Sequence, residues 1–142
     1  MGAVSLSDLQ ITPLKRIPVA GGDVMHAVKR DDRGFAGFGE AYFSWVDPGA
    51  VKAWKLHQKL TLNLIVPIGV VRFVFQAPNQ PESFRVEDIG GERYARLTAP
   101  PGLWFGFQGI GAPLNLVLNV TDLPHDPSEV LRRAVTDIPY KW

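Results

Sequence analysis

The sequence contains no cysteine, which excludes disulfide staples, thiolate metal ligands and thiol nucleophiles. Histidine is nearly as scarce: His26, His57 and His125 lie far apart in the chain. Neither sign of charge dominates, with 15 basic against 14 acidic side chains and a formal net charge of +1. Such a chain lacks the field that selects duplex nucleic acid or an anionic membrane surface. Long apolar runs are missing too. None reaches the roughly 18 residues of a membrane span, and Met1 leads into polar residues rather than the apolar core of a secretion signal. These absences predict a cytoplasmic protein without nucleic-acid or membrane partners.

What is abundant is turn-forming residues and apolar side chains. Fourteen Gly and 12 Pro cut the chain into short β-branched and aromatic runs, the pattern of a sandwich or barrel. The clearest runs are Glu40 to Val46, Val51 to His57, Leu60 to Val66, Val70 to Gln76, Tyr94 to Thr98 and Leu114 to Val120. Turn signals such as Asp47-Pro-Gly, Ala77-Pro-Asn-Gln-Pro, Gly90-Gly91 and Pro100-Pro-Gly separate them. Only Pro127-Ser-Glu-Val-Leu-Arg-Arg-Ala reads as helical, with Asp126 as N-cap and Pro127 at the first helical position. At 142 residues and 46% hydrophobic, the chain is expected to bury one core as a single domain over residues 1–142.

One stretch carries a chemical message. Gly49-Ala-Val-Lys-Ala-Trp-Lys55-Leu-His57, closed off by Gly69, keeps the spacing of a cupin metal motif, in which Gly is followed after five residues by His-x-His, then Glu, then a turn Gly. Lys55 stands at the first His position, and the Glu position falls at Thr61 or Leu62. A divalent metal needs three or four converging N or O ligands, and a lone His57 beside an ammonium does not supply them. The expectation is an all-β double-stranded β-helix, a jelly-roll cupin barrel with a short C-terminal helix, holding a pocket but no metal and no cofactor. On an extended strand Lys55 and His57 project from one face, with Trp54 and Leu56 on the other. Thr61 and Asn63 share a face of the next strand, and Arg72 interrupts the apolar run after it. Either these polar groups face water on one wet side of the sheet, or they line a polar cavity inside the barrel.

The chain resembles the dTDP-4-dehydrorhamnose 3,5-epimerases and their relatives, metal-independent cupins that act on nucleotide-linked keto sugars. Asp31-Asp-Arg33-Gly34-Phe35, with Glu40 and Phe43, looks like the family's D-x-RG-x-F…E-x-F segment. Lys52-Ala-Trp-Lys55-Leu-His57 resembles its Arg-Gly-x-His-x-Gln strand, and Pro100-Pro-Gly-Leu-Trp104-Phe105-Gly-Phe its Pro-x-Gly-x-x-His-Gly-Phe segment. Asp122-Leu-Pro-His125-Asp-Pro-Ser-Glu129 and the closing Ile138-Pro-Tyr140-Lys-Trp142 are similar to its Tyr-x-Pro-x-x-Glu segment and Ile-x-Trp ending.

The resemblance implies a homodimer in which Arg33 reaches a nucleotide diphosphate across the subunit boundary and Lys52 contacts phosphate. It also implies that Lys55 replaces the family's catalytic His, which leaves His57 and Lys55 as the candidate catalytic pair. Asn63, Arg72 and Trp104 are candidate substrate contacts, Trp104 being a core residue or a stacking platform for a base or sugar. The implied activity is epimerisation or isomerisation of a nucleotide-linked 4-keto sugar in polysaccharide or deoxysugar biosynthesis. The rivals are a catalytically retired cupin that binds a nucleotide sugar or supports another enzyme, and a purely structural barrel.

Overall fold

The computed structural model describes residues 3–142, and its regular structure is almost entirely β. The strands are β1 (Gln10–Pro13), β2 (Arg16–Ile17), β3 (Val24–Met25), β4 (Glu40–Trp45), β5 (Val51–His57), β6 (Leu62–Ile68), β7 (Val70–Gln76), β8 (Phe84–Gly90), β9 (Ala95–Ala99), β10 (Trp104–Gly109), β11 (Leu116–Thr121) and β12 (Val130–Arg132). One five-stranded sheet has the order β1-β9-β6-β11-β4, and a second has the order β12-β5-β10-β7-β8. The neighbouring pairs within both sheets are antiparallel, and β2 and β3 form a small separate hairpin. This two-sheet arrangement is the jelly roll expected from the turn spacing.

Alternation decides which side chains meet between the sheets. Leu62, Leu64 and Val66 on β6, Leu97 on β9 and Val117 on β11 pack with Val71, Phe73 and Phe75 on β7 and Phe105 on β10. A second cluster covers the other side of the β5 sheet: Trp54, Leu56, Val74, Trp104 and Ile138, with Phe84, Tyr140 and Trp142 against it. The chain end thus runs across the back of β5 and β10. Gly106 allows this approach, since a Cβ there would meet the Ala53 Cβ at 2.5 Å and the Trp142 ring at 3.1 Å. Gly69 turns β6 into β7 at φ +81°, against Asn115 and the Leu114 carbonyl, where a side chain has no room.

The expected C-terminal helix is absent. Asp126 does cap Ser128 and Pro127 does open a turn, but the turn is a single 3₁₀ turn, Pro127–Glu129. The chain then pairs as β12 with β5, Val130 opposite His57 and Arg132 opposite Lys55. The N-terminal signals were sound; pairing with an open sheet edge took over after three residues.

Outside the first sheet, one arginine fastens the segment before β4. Arg96 is fully buried and donates to Asn63 Oδ1 (3.1 Å), the carbonyls of Ala27 (2.9 Å) and Arg33 (3.0 Å), and the Asp32 carboxylate (3.3 Å). Asn63 completes the clamp by donating to the Gly34 carbonyl and accepting from the Thr98 hydroxyl. Because Leu62 and Leu64 point inward, Asn63 points outward, away from the barrel interior. Replacing Arg96 by Met takes the guanidinium donor from two carbonyls and the Asp32 carboxylate and leaves Asn63 Oδ1 with Thr98 alone, so it is expected to lower stability by on the order of 3 kcal/mol in urea unfolding. A loss under 1 kcal/mol would show that the clamp carries little.

Candidate functional site

The inner side of β5 opens into a cavity of about 390 Å³ lined by Ser44, Lys52, Ala53, Trp54, Lys55, Phe105, Phe107, Arg132 and Arg133. Strict alternation sets Lys52 and Lys55, three residues apart, on opposite faces. A bulge reconciles them: Lys55 pairs with Phe105 and Ala53 with Gly106, so Trp54 is the extra residue. Both lysines therefore meet the same cavity while Trp54 and Leu56 stay in the outer aromatic cluster.

His57 lies deeper along the same strand. It is 8% exposed, its ring sits 5.8 Å from that of Phe105, and its Nδ1 meets Glu129 Oε1 at 2.5 Å. The other Glu129 oxygen accepts the backbone N–H groups of Gln58 (3.1 Å) and Lys59 (3.2 Å). Glu129 is itself 3% exposed. Burial pushes its carboxyl up, but the hydrogen bonds from His57 and the Lys59 N–H outweigh that and leave it below the usual carboxylate range. With Nδ1 bound to the carboxylate, Nε2 is the ring nitrogen left for chemistry.

The electrostatics of the cavity are one-sided. Burial, followed by the charges of Arg132 and Lys52, holds the Lys55 ammonium below its usual range. Lys52 donates to the Trp45 carbonyl at 2.8 Å, and the Arg133 guanidinium stacks 4.6 Å above the Trp104 ring. Across the gap, Tyr42 shares the face of Ser44 on β4, and its hydroxyl accepts from Asn119 Nδ2 at 3.1 Å. That leaves the phenol proton free to be donated. Asn119 Oδ1 is buried with no partner among the described residues.

Of the residues singled out from sequence, the structure brings Lys52, Lys55 and His57 to one strand and one side, with Lys52 and Lys55 lining the cavity and His57 buried next to it, outside the lining. It sends the other candidates elsewhere. Asn63 belongs to the clamp on the far side of its sheet. Arg72 makes a bidentate pair with Asp88 at 2.8 and 3.0 Å on β8 and lines no part of the cavity. Trp104 is 5% exposed in the outer cluster, under Arg133, so no base or sugar can stack on it. Arg33 is exposed and faces a separate shallow depression with Ser7, Asp8, Gln10 and Thr12. Tyr94 donates to the His26 carbonyl, and His125 is exposed in a loop. Tyr42, a donor the sequence offers beside Asn63 and Tyr94, stands next to Asn119, and Glu129, Arg132 and Asn119 are the partners that the sequence did not reveal as site residues. Among the described residues, no three His, Asp or Glu side chains converge as a metal site.

The sequence matches no family model and no curated protein. Solved structures do match. A dTDP sugar isomerase from Desulfovibrio desulfuricans is 37% identical over 95% of this chain and 90% of its own, with a TM-score of 0.86. A sugar 3,4-ketoisomerase from Thermoanaerobacterium thermosaccharolyticum, solved with TDP, shares the fold at 18% identity over 94% of both chains and a TM-score of 0.77. A dTDP-4-dehydrorhamnose 3,5-epimerase from Bacillus anthracis does so at 14% identity, covering 98% of this chain and 87% of its own, with a TM-score of 0.80.

The Glu129 carboxylate generates a pH prediction. Its native pKa is depressed, so its stabilisation is complete above the unfolded value near 4.3 and fades as pH falls through the lower native value. Glu129→Gln is expected to cost about 2 kcal/mol at pH 7. The gap to the parent protein should narrow below about pH 4. Parallel stability–pH curves for the two proteins would contradict this assignment.

Proposed function

Because the chain belongs to the family of dTDP-sugar isomerases and dTDP-4-dehydrorhamnose 3,5-epimerases, we propose that it isomerises or epimerises a nucleotide-linked 4-keto sugar in the Lys52–Lys55 cavity. The observation that carries this reading is an acid-free, cation-lined cavity beside an imidazole oriented by a buried carboxylate. Proton transfer beside a ketone needs a base for the C–H and a donor for the enolate oxygen. His57 Nε2 takes the proton, with Glu129 steadying the imidazolium through Nδ1. Lys55, standing where the family's base stands, holds the developing oxyanion as an ammonium, and the Tyr42 hydroxyl is a second donor. In epimerisation a donor on the other side of the ring, Tyr42 in this reading, protonates the opposite face of the same carbon and recovers a proton from solvent as His57 releases its own; in isomerisation the hydroxyl proton of that carbon passes to the enolate oxygen and the imidazolium proton goes to the former carbonyl carbon. No metal is invoked in these steps.

The working form in this reading is a cytoplasmic homodimer. Among the described residues, no helix is long and apolar enough to cross a membrane. Supporting the dimer is an apolar outer face on the first sheet, where Trp45, Leu116 and Ile68 sit side by side in register and Phe43 lies opposite Leu118. Phe43 is 65% and Trp45 53% exposed, and β4 is an unpaired sheet edge. A second copy on this face would cover the edge, and its Arg33, remote from the cavity of its own protomer, would be free to reach a nucleotide diphosphate.

Two experiments test these statements. Incubating the protein with a dTDP-4-keto-6-deoxy sugar in D₂O is expected to place deuterium on a carbon next to the ketone. His57→Asn should reduce the rate by at least 100-fold while the fold persists. Ligand binding without exchange in the parent protein would leave the retired-cupin reading standing instead. Trp45→Glu is expected to halve the mass seen by sedimentation. A parent protein already monomeric at micromolar concentration would sink the dimer.

A further inference from the structure

Three asparagines are buried in this molecule, and two of them use the whole amide to hold the fold. Asn63 donates to the Gly34 carbonyl and accepts from Arg96 and Thr98. Asn115 accepts the Val70 N–H and donates to the carbonyls of Val46 and Gly111. Asn119 is different. It is 6% exposed, yet among the described residues its side chain holds no backbone group: Nδ2 donates to the Tyr42 hydroxyl at 3.1 Å, and Oδ1 is buried with no partner. A buried acceptor left unpaired is destabilising, and an apolar side chain would avoid that penalty. The neighbours invite one, since Asn119 alternates with Val117 on the inward face of β11 and is the Cα partner of Leu64 on β6, both core residues. What the amide supplies in return is its single contact, the phenol.

A phenol oxygen can accept a hydrogen bond and still give its own proton to another group. Beside an amide, the outcome depends on which half of the amide it faces. Against Oδ1, Tyr42 would give its proton to Asn119; against Nδ2, it accepts and keeps the proton for a different acceptor. Tyr42 is the Cα partner of Asn119 on β4 and shares its face with Ser44, which lines the cavity. We propose that Asn119 is a positioning residue: its Nδ2–H fixes the Tyr42 hydroxyl as a hydrogen-bond acceptor and thereby turns the phenol proton toward the cavity and the sugar. This rests on the nucleotide-sugar reading and adds to it a residue that works through Tyr42, because a buried Oδ1 does not reach a ligand.

The test first reads the phenol without any ligand. The tyrosine doublet in the Raman spectrum separates a phenol that accepts a hydrogen bond from one that donates, and subtracting the spectrum of Tyr42→Phe isolates Tyr42 from Tyr94 and Tyr140. The parent protein is expected to show an accepting phenol. In Asn119→Leu that signature should move toward the balanced ratio of a phenol in water, and Asn119→Ala answers the same question if the Leu variant does not fold. The second reading is kinetic, with the dTDP-4-keto-6-deoxy sugar in D₂O. Asn119→Leu is expected to lower kcat for exchange roughly tenfold or more with KM within about twofold, while its urea midpoint stays level or rises. In a Tyr42→Phe background the same change should have no further effect on the rate. A donating phenol in the parent protein overturns the proposal, because Oδ1 then faces the hydroxyl. An equal loss of rate in the Tyr42→Phe background overturns it too, because Asn119 is then structural. Failure of the catalytic reading is distinguishable. Absent exchange in the parent protein, with an accepting Tyr42 that depends on Asn119, defeats catalysis and leaves the hydrogen bond standing. Normal exchange with a Tyr42 signal indifferent to both Asn119 variants defeats this inference alone.

Discussion

The Glu129 carboxylate is the contact on which the site depends. A buried carboxylate is tolerated only with donors around it, and Glu129 collects three, from His57 Nδ1 and the N–H groups of Gln58 and Lys59. The donors are the last residue of β5 and the two that follow it, so the pair fixes the segment carrying Glu129 at the end of that strand. β12 begins at the next residue. Three residues paired to one neighbour make a weak strand by themselves, and the His57–Glu129 hydrogen bond at its start supplies what length does not. That anchor fixes the start of the Arg132 wall of the cavity, and the reciprocal backbone bonds of Arg133 with Trp54 hold its far end.

The two sides of β5 do opposite jobs. Behind it, Trp54 donates its indole N–H to the Val135 carbonyl at 3.1 Å and packs against Tyr140 and Trp142, giving a rigid backing of aromatic rings. In front, the apolar filling that occupies the space between the sheets stops at Phe105 and Phe107, and lysine begins. The bulge at Trp54 makes the division possible, turning an irregularity of one residue into two lysines on one side. A buried Asn does comparable work at the opposite corner: Asn115 accepts the Val70 N–H and donates to the carbonyls of Val46 and Gly111, holding the loop from which β5 starts. Precision at Lys52 and Lys55 comes from packing behind the strand and hydrogen bonding at both of its ends.

How far the sequence reached follows from what each feature depends on. β5 and β7 were legible to their end residues, because β5 follows the Asp47-Pro-Gly turn and β7 lies between Gly69 and Ala77-Pro. The shared side of Lys55 and His57 was legible too, since two residues on one strand need only alternation. Face choice between strands was not. Asn63 and Arg72 are polar interruptions of apolar strands, and nothing local says that Leu62, Leu64, Phe73 and Phe75 claim the interior and turn both polar groups outward. Glu129 lies 72 positions from His57, a separation no local pattern bridges, and Arg132 was hidden inside a segment that reads as helix until the edge of β5 is offered to it. The Trp104 ambiguity between core and rim was settled by the chain end folding across its sheet.

The displacement of the imidazole has a chemical consequence within the proposed reading. The family resemblance places the ancestral base at Lys55, and His57 is two residues further on, about 7 Å along an extended strand. If Lys52 contacts phosphate, as the resemblance implies, the ligand enters from the Lys52 end and its sugar extends toward His57. A base at position 57 then meets a part of the sugar farther from the phosphates than a base at position 55 would, while the cation at 55 is left beside the atoms nearer the phosphates. Proton removal and charge stabilisation are thus shared between neighbouring side chains in the reverse order along the strand. An enzyme built this way would keep enolate chemistry on one scaffold, with the site of proton return, the same carbon or its neighbour, separating epimerisation from isomerisation.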